Sequence, residues 1–261
     1  MNILDQIIAS KKIEVALKKR IVSISQLENS DLFTKKTNSL GKSIVNSPFG
    51  IIAEHKRRSP SKATINNSFS VEHVVKGYEN AGASGISILT DMHYFGGSLD
   101  DLLLARASVQ IPLLRKEFIV DEYQLLEAKS NGADAILLIA AVLSREEIKQ
   151  LSEFAQSLAL EVLLEVHDRE ELEKSIMPSI DLIGVNNRNL KTFEVSLQNS
   201  IDLANHIPND FVKISESGLT TTDDIKILKN HGFQGFLIGE NFMKTDNPGK
   251  SLEQFINQLK S

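Results

Sequence analysis

The sequence contains no cysteine, which excludes a disulfide framework, a thiolate metal site and a cysteine nucleophile. It also lacks an excess of positive charge. The formal net charge is -5, opposite to the basic surface that broad nucleic-acid binding needs. The longest obvious apolar run is AILLIAAVL at 135–143, well short of the roughly 20 residues of a membrane span. No Pro/Gly/Ser-rich linker or low-complexity tract divides the 261 residues, and no GxGxxG follows the first apolar run. No two histidines have a metal-ligand spacing. The opening stretch MNILDQIIASKKIEVALKKR has no cleavable apolar core and carries Asp5 and Glu14, so it reads as an amphipathic helix. These absences predict one domain over 1–261, cytoplasmic, with no metal, nucleic-acid or membrane partner.

What is present is a rhythm. Short apolar runs recur at 50–56, 85–90, 111–118, 134–140, 161–166, 181–187, 211–217 and 235–240. Their starts lie roughly one βα unit apart. Helical segments fill the gaps. In LSREEIKQLSEFAQSLAL (143–160), Ser144 is a candidate N-cap with Glu147 three residues on, followed by apolar Ile148, Leu151 and Phe154. TTTDDIKILKNHG (220–232) opens on capping residues and closes on Gly232. The runs are nearly continuously apolar, as parallel strands buried on both faces require. Eight such units in this length predict an α/β fold, a single closed (β/α)8 TIM barrel over 46–261. Residues 1–45 form an N-terminal helical extension of one or two helices. An open doubly wound sheet is the structural alternative.

The polar residues collect at one end of these strands. Glu54 and Lys56 close the first run, Lys116 the third, Glu165 the fifth, Asn186 and Arg188 the sixth, and Glu216 the seventh. Side chains two apart share a face. Ile52, Glu54 and Lys56 therefore point one way, as do Leu114 and Lys116, Leu163 and Glu165, and Ile214 and Glu216. Barrel interiors are filled in layers from alternate strands, so the charged members ring one mouth. A single Lys or Glu at a strand end is ordinarily just solvated. Several of both signs on alternate strands point to a site, because charges are seldom buried without partners. By the same parity His55 and Arg57 face outward, as does His167, opposite to Glu165. His93 falls in a loop, KKR at 18–20 reads as a solvated helix face, and Pro60 is expected to stop the first strand.

Two later runs, SESGL (215–219) and FLIGENF (236–242), each place a glycine just past a strand. Loops after the last two strands of a barrel often hold a phosphate through backbone N–H groups. Gly218 and Gly239 would let the backbone approach an anion, with Lys56 adding a cation and Ser59 and Ser61 hydroxyls. Two tight βα turns are the plainer alternative.

The stretch IIAEHKRRSPSK (51–62) resembles the first-strand signature of indole-3-glycerol phosphate synthases, which are (β/α)8 enzymes of tryptophan biosynthesis. The resemblance continues through SILTDMHYFGGSLDDL (87–102), PLLRKEFIVDEYQ (112–124), LLEVHD (163–168), IGVNNRNL (183–190), ESGL (216–219) and LIGENFM (237–243). Every strand but the fourth contributes. The resemblance implies a lyase that closes an indole ring on a phosphorylated substrate, without metal or organic cofactor, as a monomer or weak homodimer. It implies Lys116 as general acid, Glu165 in later proton transfer and Lys56 as a second acidic or anion-binding group. Glu54 and Glu216 would orient the lysines, with Asn186 and Arg188 at the anthranilate end. Phe118, Leu190, Ser59 and Pro60 would complete the substrate pocket. Ser59, Ser217, Gly218, Gly239 and Glu240 would serve the phosphate, the last through its backbone N–H. Three positions depart from the family pattern: His55 replaces an apolar residue, Ala63 a common glycine, and Glu117 an aspartate. Another phosphate-binding barrel, such as a sugar-phosphate isomerase, and a non-catalytic phospholigand-binding barrel remain alternatives. The isomerase one step earlier in the pathway relies on a cysteine that this chain lacks.

Overall fold

The computed structural model describes residues 3–60, 62–189 and 194–261. Ser61 and Leu190, both expected near the mouth, lie outside the described residues. All eight apolar runs form strands: β1 (Ile51–His55), β2 (Gly85–Leu89), β3 (Leu113–Lys116), β4 (Ala135–Ile139), β5 (Glu161–Val166), β6 (Leu182–Asn186), β7 (Val212–Glu216) and β8 (Gly235–Ile238). They pair in sequence order, all parallel, and β8 closes on β1. The open-sheet alternative is thereby excluded. Closure also leaves no unpaired sheet edge.

Local chemistry sets the helix starts. Ser144 caps Arg145–Ser157 in a reciprocal capping box with Glu147, as its spacing predicts. Thr221 does the same for Thr222–Asn230 through Asp224. Gly232 takes φ +87 beyond that helix, a left-handed turn that glycine adopts without steric cost.

Two apolar compartments follow. The larger lies between the sheet and the surrounding helices. The smaller fills the barrel, where Ile52, Leu114, Leu163 and Ile214 meet from alternate strands. The segment before β1 holds three helices, Ile3–Ile21, Ile24–Glu28 and Leu40–Val45, where one or two were expected. The third is the barrel's floor: Leu40 and Ile44 pack into the inner compartment from below. A Cβ on Gly85 would stand 2.5 Å from Leu40 Cδ1, which explains the glycine at the start of β2. The floor covers one end of the barrel, and a cavity opens at the other, the C-terminal ends of the strands.

The first helix is clamped to the barrel by charge. Lys11, 2% exposed, reaches Asp91 at 2.8 Å, Glu117 at 3.1 Å and Glu14 at 2.8 Å. Burial works against its ammonium, but Glu117 and Asp91 outweigh that and raise its pKa. Lys18 and Lys19 contribute as well, to Glu127 and Asp121, so KKR is only partly a solvated face. Lys11→Met is expected to destabilise the fold by about 3–5 kcal/mol, because Asp91 loses its cation and Glu117 is left with Arg115 at 3.7 Å. Equilibrium urea unfolding checks this; an unchanged midpoint would mean that the clamp carries no stability.

Candidate active site

The mouth of the barrel is a cavity of about 390 Å³ lined by Glu54, Lys56, Lys116, Glu165, Asn186 and Glu216 among others. The strands position these groups as parity requires. Lys116 Nζ donates to Glu165 Oε2 at 3.2 Å and to Glu216 Oε2, so it bridges β5 and β7. Lys56 Nζ lies 2.8 Å from Glu54 Oε1. Asn186 Nδ2 donates to Glu165 Oε1 at 3.1 Å, and its own Oδ1 accepts from the Arg188 backbone N–H at 3.0 Å. Ser87, from β2, donates to Glu54 Oε2 at 3.3 Å.

The carboxylates of Glu54, Glu165 and Glu216 thus meet the ammonium groups of Lys56 and Lys116 at the mouth. Burial disfavours the Lys116 ammonium, but Glu216, Glu165 and Glu54 together outweigh it and push its pKa up. Burial likewise opposes the Glu165 carboxylate, and Lys116 followed by His167 overturns that, holding it below its ordinary range. Glu216 goes the other way. Its burial dominates the pull of Lys116, and neighbouring Glu165 adds repulsion, raising it to about 7. Glu216 Oε1 is buried without a hydrogen-bond partner among the described residues, which suits a site that takes up a proton.

Backbone space is cut to fit these side chains. A Cβ on Gly184 would come 2.3 Å from Glu216 Oε1, and one on Gly239 would come 2.5 Å from Glu54 Oε1. Gly239 therefore makes room for a carboxylate at φ -117, rather than supplying an unusual backbone conformation. Gly218 does supply one, at φ +74 directly after Ser217 at φ +69. A bare backbone is needed here also because Val195 Cγ1 lies 2.3 Å from a built Cβ. Ser59, Pro60, Phe118, Arg188, Ser217, Gly218, Gly239 and Glu240 all line the mouth. The Glu240 carboxylate is held 2.8 Å from Lys62, tying the loop after β1 to the loop after β8.

Some residues stand elsewhere than expected. β1 stops at His55, five positions before Pro60, because Arg57 turns away to Asp101, with Nη2 2.9 Å from Oδ1. His55 is 2% exposed under the helix layer, a structural histidine. Burial, then the neighbouring Arg57 charge, pushes its pKa down to about 4. His93 sits in a short helix, Met92–Phe95, instead of a loop. His167 does not face away from Glu165: β5 ends at Val166, and the ring curls back to bring Nε2 within 3.4 Å of Glu165 Oε1. Sequence reasoning also passed over Ile3, Leu4 and Ile7 of the first helix, and Asp91 and Glu117, all at the mouth. The last two fall in stretches that carry the family resemblance, but nothing in the sequence pairs them with Lys11.

The sequence profile of indole-3-glycerol phosphate synthases matches residues 4–255. A protein of that name from Bacteroides thetaiotaomicron is 50% identical over 258 residues, covering 99% of both chains. The chain belongs to the indole-3-glycerol phosphate synthase family. A second synthase, from Polynucleobacter necessarius, is 41% identical and covers 98% of this chain and 99% of its own. Among solved structures, a mutant tryptophan synthase alpha-subunit from Pyrococcus furiosus superposes with a TM-score of 0.60 at 14% identity. It covers 81% of this chain and 97% of its own, a likeness of fold alone. No helix among the described residues is long and apolar enough to cross a membrane.

Proposed function

We propose that the mouth runs the ring closure of indole-3-glycerol phosphate synthases with Lys116 as its general acid. The chain is a carboxy-lyase of tryptophan biosynthesis. It converts 1-(2-carboxyphenylamino)-1-deoxyribulose 5-phosphate to indole-3-glycerol phosphate, carbon dioxide and water. The observation that carries the assignment of roles is the Lys116 ammonium held between Glu165 and Glu216 at the inner end of the cavity.

The steps follow from that placement. The aromatic carbon bearing the carboxylate attacks the ketose carbonyl, whose oxygen gains negative charge. Lys116, kept protonated by its carboxylates, donates a proton to that oxygen. The carboxylate leaves as carbon dioxide, and the electron pair of the broken carbon–carbon bond restores the aromatic ring. The new hydroxyl then leaves as water, with Lys56 as the second acid and Glu165, already ionised, taking the proton released. Glu54 and Glu216 orient Lys56 and Lys116. Asn186 fixes the Glu165 carboxylate and, with Arg188, faces the anthranilate carboxylate, while Phe118 packs on its ring. Ser59, Ser217, Gly218, Gly239 and the Glu240 backbone surround the phosphate, with Lys56 supplying charge. We infer action in the cytoplasm as a monomer or weak homodimer, with 1–261 as one domain built on the single closed barrel.

Incubation with this substrate tests the reading directly. The chain has no tryptophan, so the protein adds no indole fluorescence to that of the product. Rising fluorescence with equal release of carbon dioxide is expected. Conversion without carbon dioxide would indicate an isomerase, and binding without conversion a non-catalytic barrel.

A further inference from the structure

His167 does not line the cavity, yet it is tied to a group that does. Its ring is held from the far side by Glu171, whose Oε2 lies 3.1 Å from Nδ1 and also accepts the His167 backbone N–H at 2.7 Å. Glu171 belongs to the first turn of the helix Arg169–Ser175. Asn199 fixes the backbone, donating to the carbonyls of His167 at 3.0 Å and Asn186 at 2.8 Å.

A carboxylate at Nδ1 requires the proton of the neutral ring to sit on Nδ1. Nε2 is then left as a lone pair aimed at Glu165 Oε1, 3.4 Å away. A lone pair and a carboxylate oxygen at that distance repel, which favours a proton on the ring. Nε2 is buried and forms no hydrogen bond among the described residues, so its approach to Glu165 is a charge contact. The Glu165 carboxylate is already committed to Lys116 through Oε2, so the proton belongs on the imidazole.

We propose that His167 is a positioning residue, an imidazolium clamped by Glu171 whose charge at Nε2 stands beside Glu165 and holds it as the carboxylate that accepts the substrate's proton. The surrounding charges agree. Glu171, Glu165 and, from β7, Glu216 all face the ring and outweigh its burial, raising its pKa. Lys116 meets the opposite oxygen of the same Glu165 carboxylate.

The inference rests on Glu165 being the proton-transfer group, and the experiments keep the two apart. The first is the pH profile of kcat for wild type, His167→Gln and Glu171→Gln. Loss of the imidazolium frees the Glu165 pKa to rise, so the acid limb should move up by about one pH unit in His167→Gln. Glu171→Gln should move it the same way by less, with KM little changed in both. The second is NMR titration of the His167 ring in wild type and in Glu165→Gln. Coupling is reciprocal, so the ring pKa should fall in the variant. An acid limb unmoved in a folded His167→Gln would overturn the proposal, as would a His167 titration indifferent to Glu165→Gln. If His167→Gln does not fold, Glu171→Gln and the ring titration decide. Full turnover by Glu165→Gln would instead overturn the role of Glu165, whatever the imidazole does.

Discussion

Glu165→Gln is expected to lower kcat by at least about 10²-fold while substrate affinity survives. Glutamine keeps the length of the side chain and an oxygen for Lys116 or Asn186, so the cavity wall is preserved. What it loses is the ability to accept a proton. In the wild type, burial opposes this carboxylate, and Lys116, His167 and the Asn186 hydrogen bond overturn that. The amide also turns an NH₂ toward donors that previously found an acceptor. Steady-state kinetics, with calorimetric binding of a non-reacting substrate analogue, separate the two effects. Unchanged kcat would remove Glu165 from the proton-transfer chemistry; lost binding with normal kcat would make it a binding residue.

Lys116→Met is the second large effect, again a loss of at least about 10²-fold in kcat. Its stability should depend on pH with a definite sign. Without the ammonium, Glu165 and Glu216 lie close together and buried, and Glu216 is already raised to about 7 with the lysine in place. A carboxyl whose folded pKa exceeds its unfolded value of about 4.3 costs stability once the pH passes that unfolded value, in full above the folded one. The variant should therefore melt near wild type at about pH 5 and progressively below it toward about pH 8. Calorimetric melting across that range checks it. A parallel shift at every pH would mean that the lysine's role in the fold is packing rather than charge.

Much of this was legible in the sequence because strand parity is a strict rule. Once β1, β3, β5 and β7 were placed, Ile52, Leu114, Leu163 and Ile214 had to meet inside, and Glu54, Lys116, Glu165 and Glu216 had to follow them to the rim. The same rule failed where strands end. His167 lies one residue past Val166, outside the ladder, and there hydrogen bonds to Glu171 set its direction instead of the pleat. The end of β1 at His55 has the same cause, since the Arg57–Asp101 pair overrides the proline expected to end the strand. Contacts distant in sequence were the other blind spot. Nothing near Lys11 announces Asp91 or Glu117, and nothing in Leu40–Val45 announces that it plugs the barrel's floor. Gly239, expected to bare the backbone to a phosphate, and Gly184, in mid-strand, also leave room for the Glu54 and Glu216 carboxylates, which no local pattern announces.

The central claim is that the Lys116 ammonium, charged by its ring of carboxylates, delivers the proton on which ring closure depends. Single-turnover mixing of Lys116→Met with 1-(2-carboxyphenylamino)-1-deoxyribulose 5-phosphate, followed by indole fluorescence beside the wild type, tests it most directly. The account predicts that substrate binds and the fluorescence rise slows by at least about 10²-fold. A rise at close to the wild-type rate would contradict it.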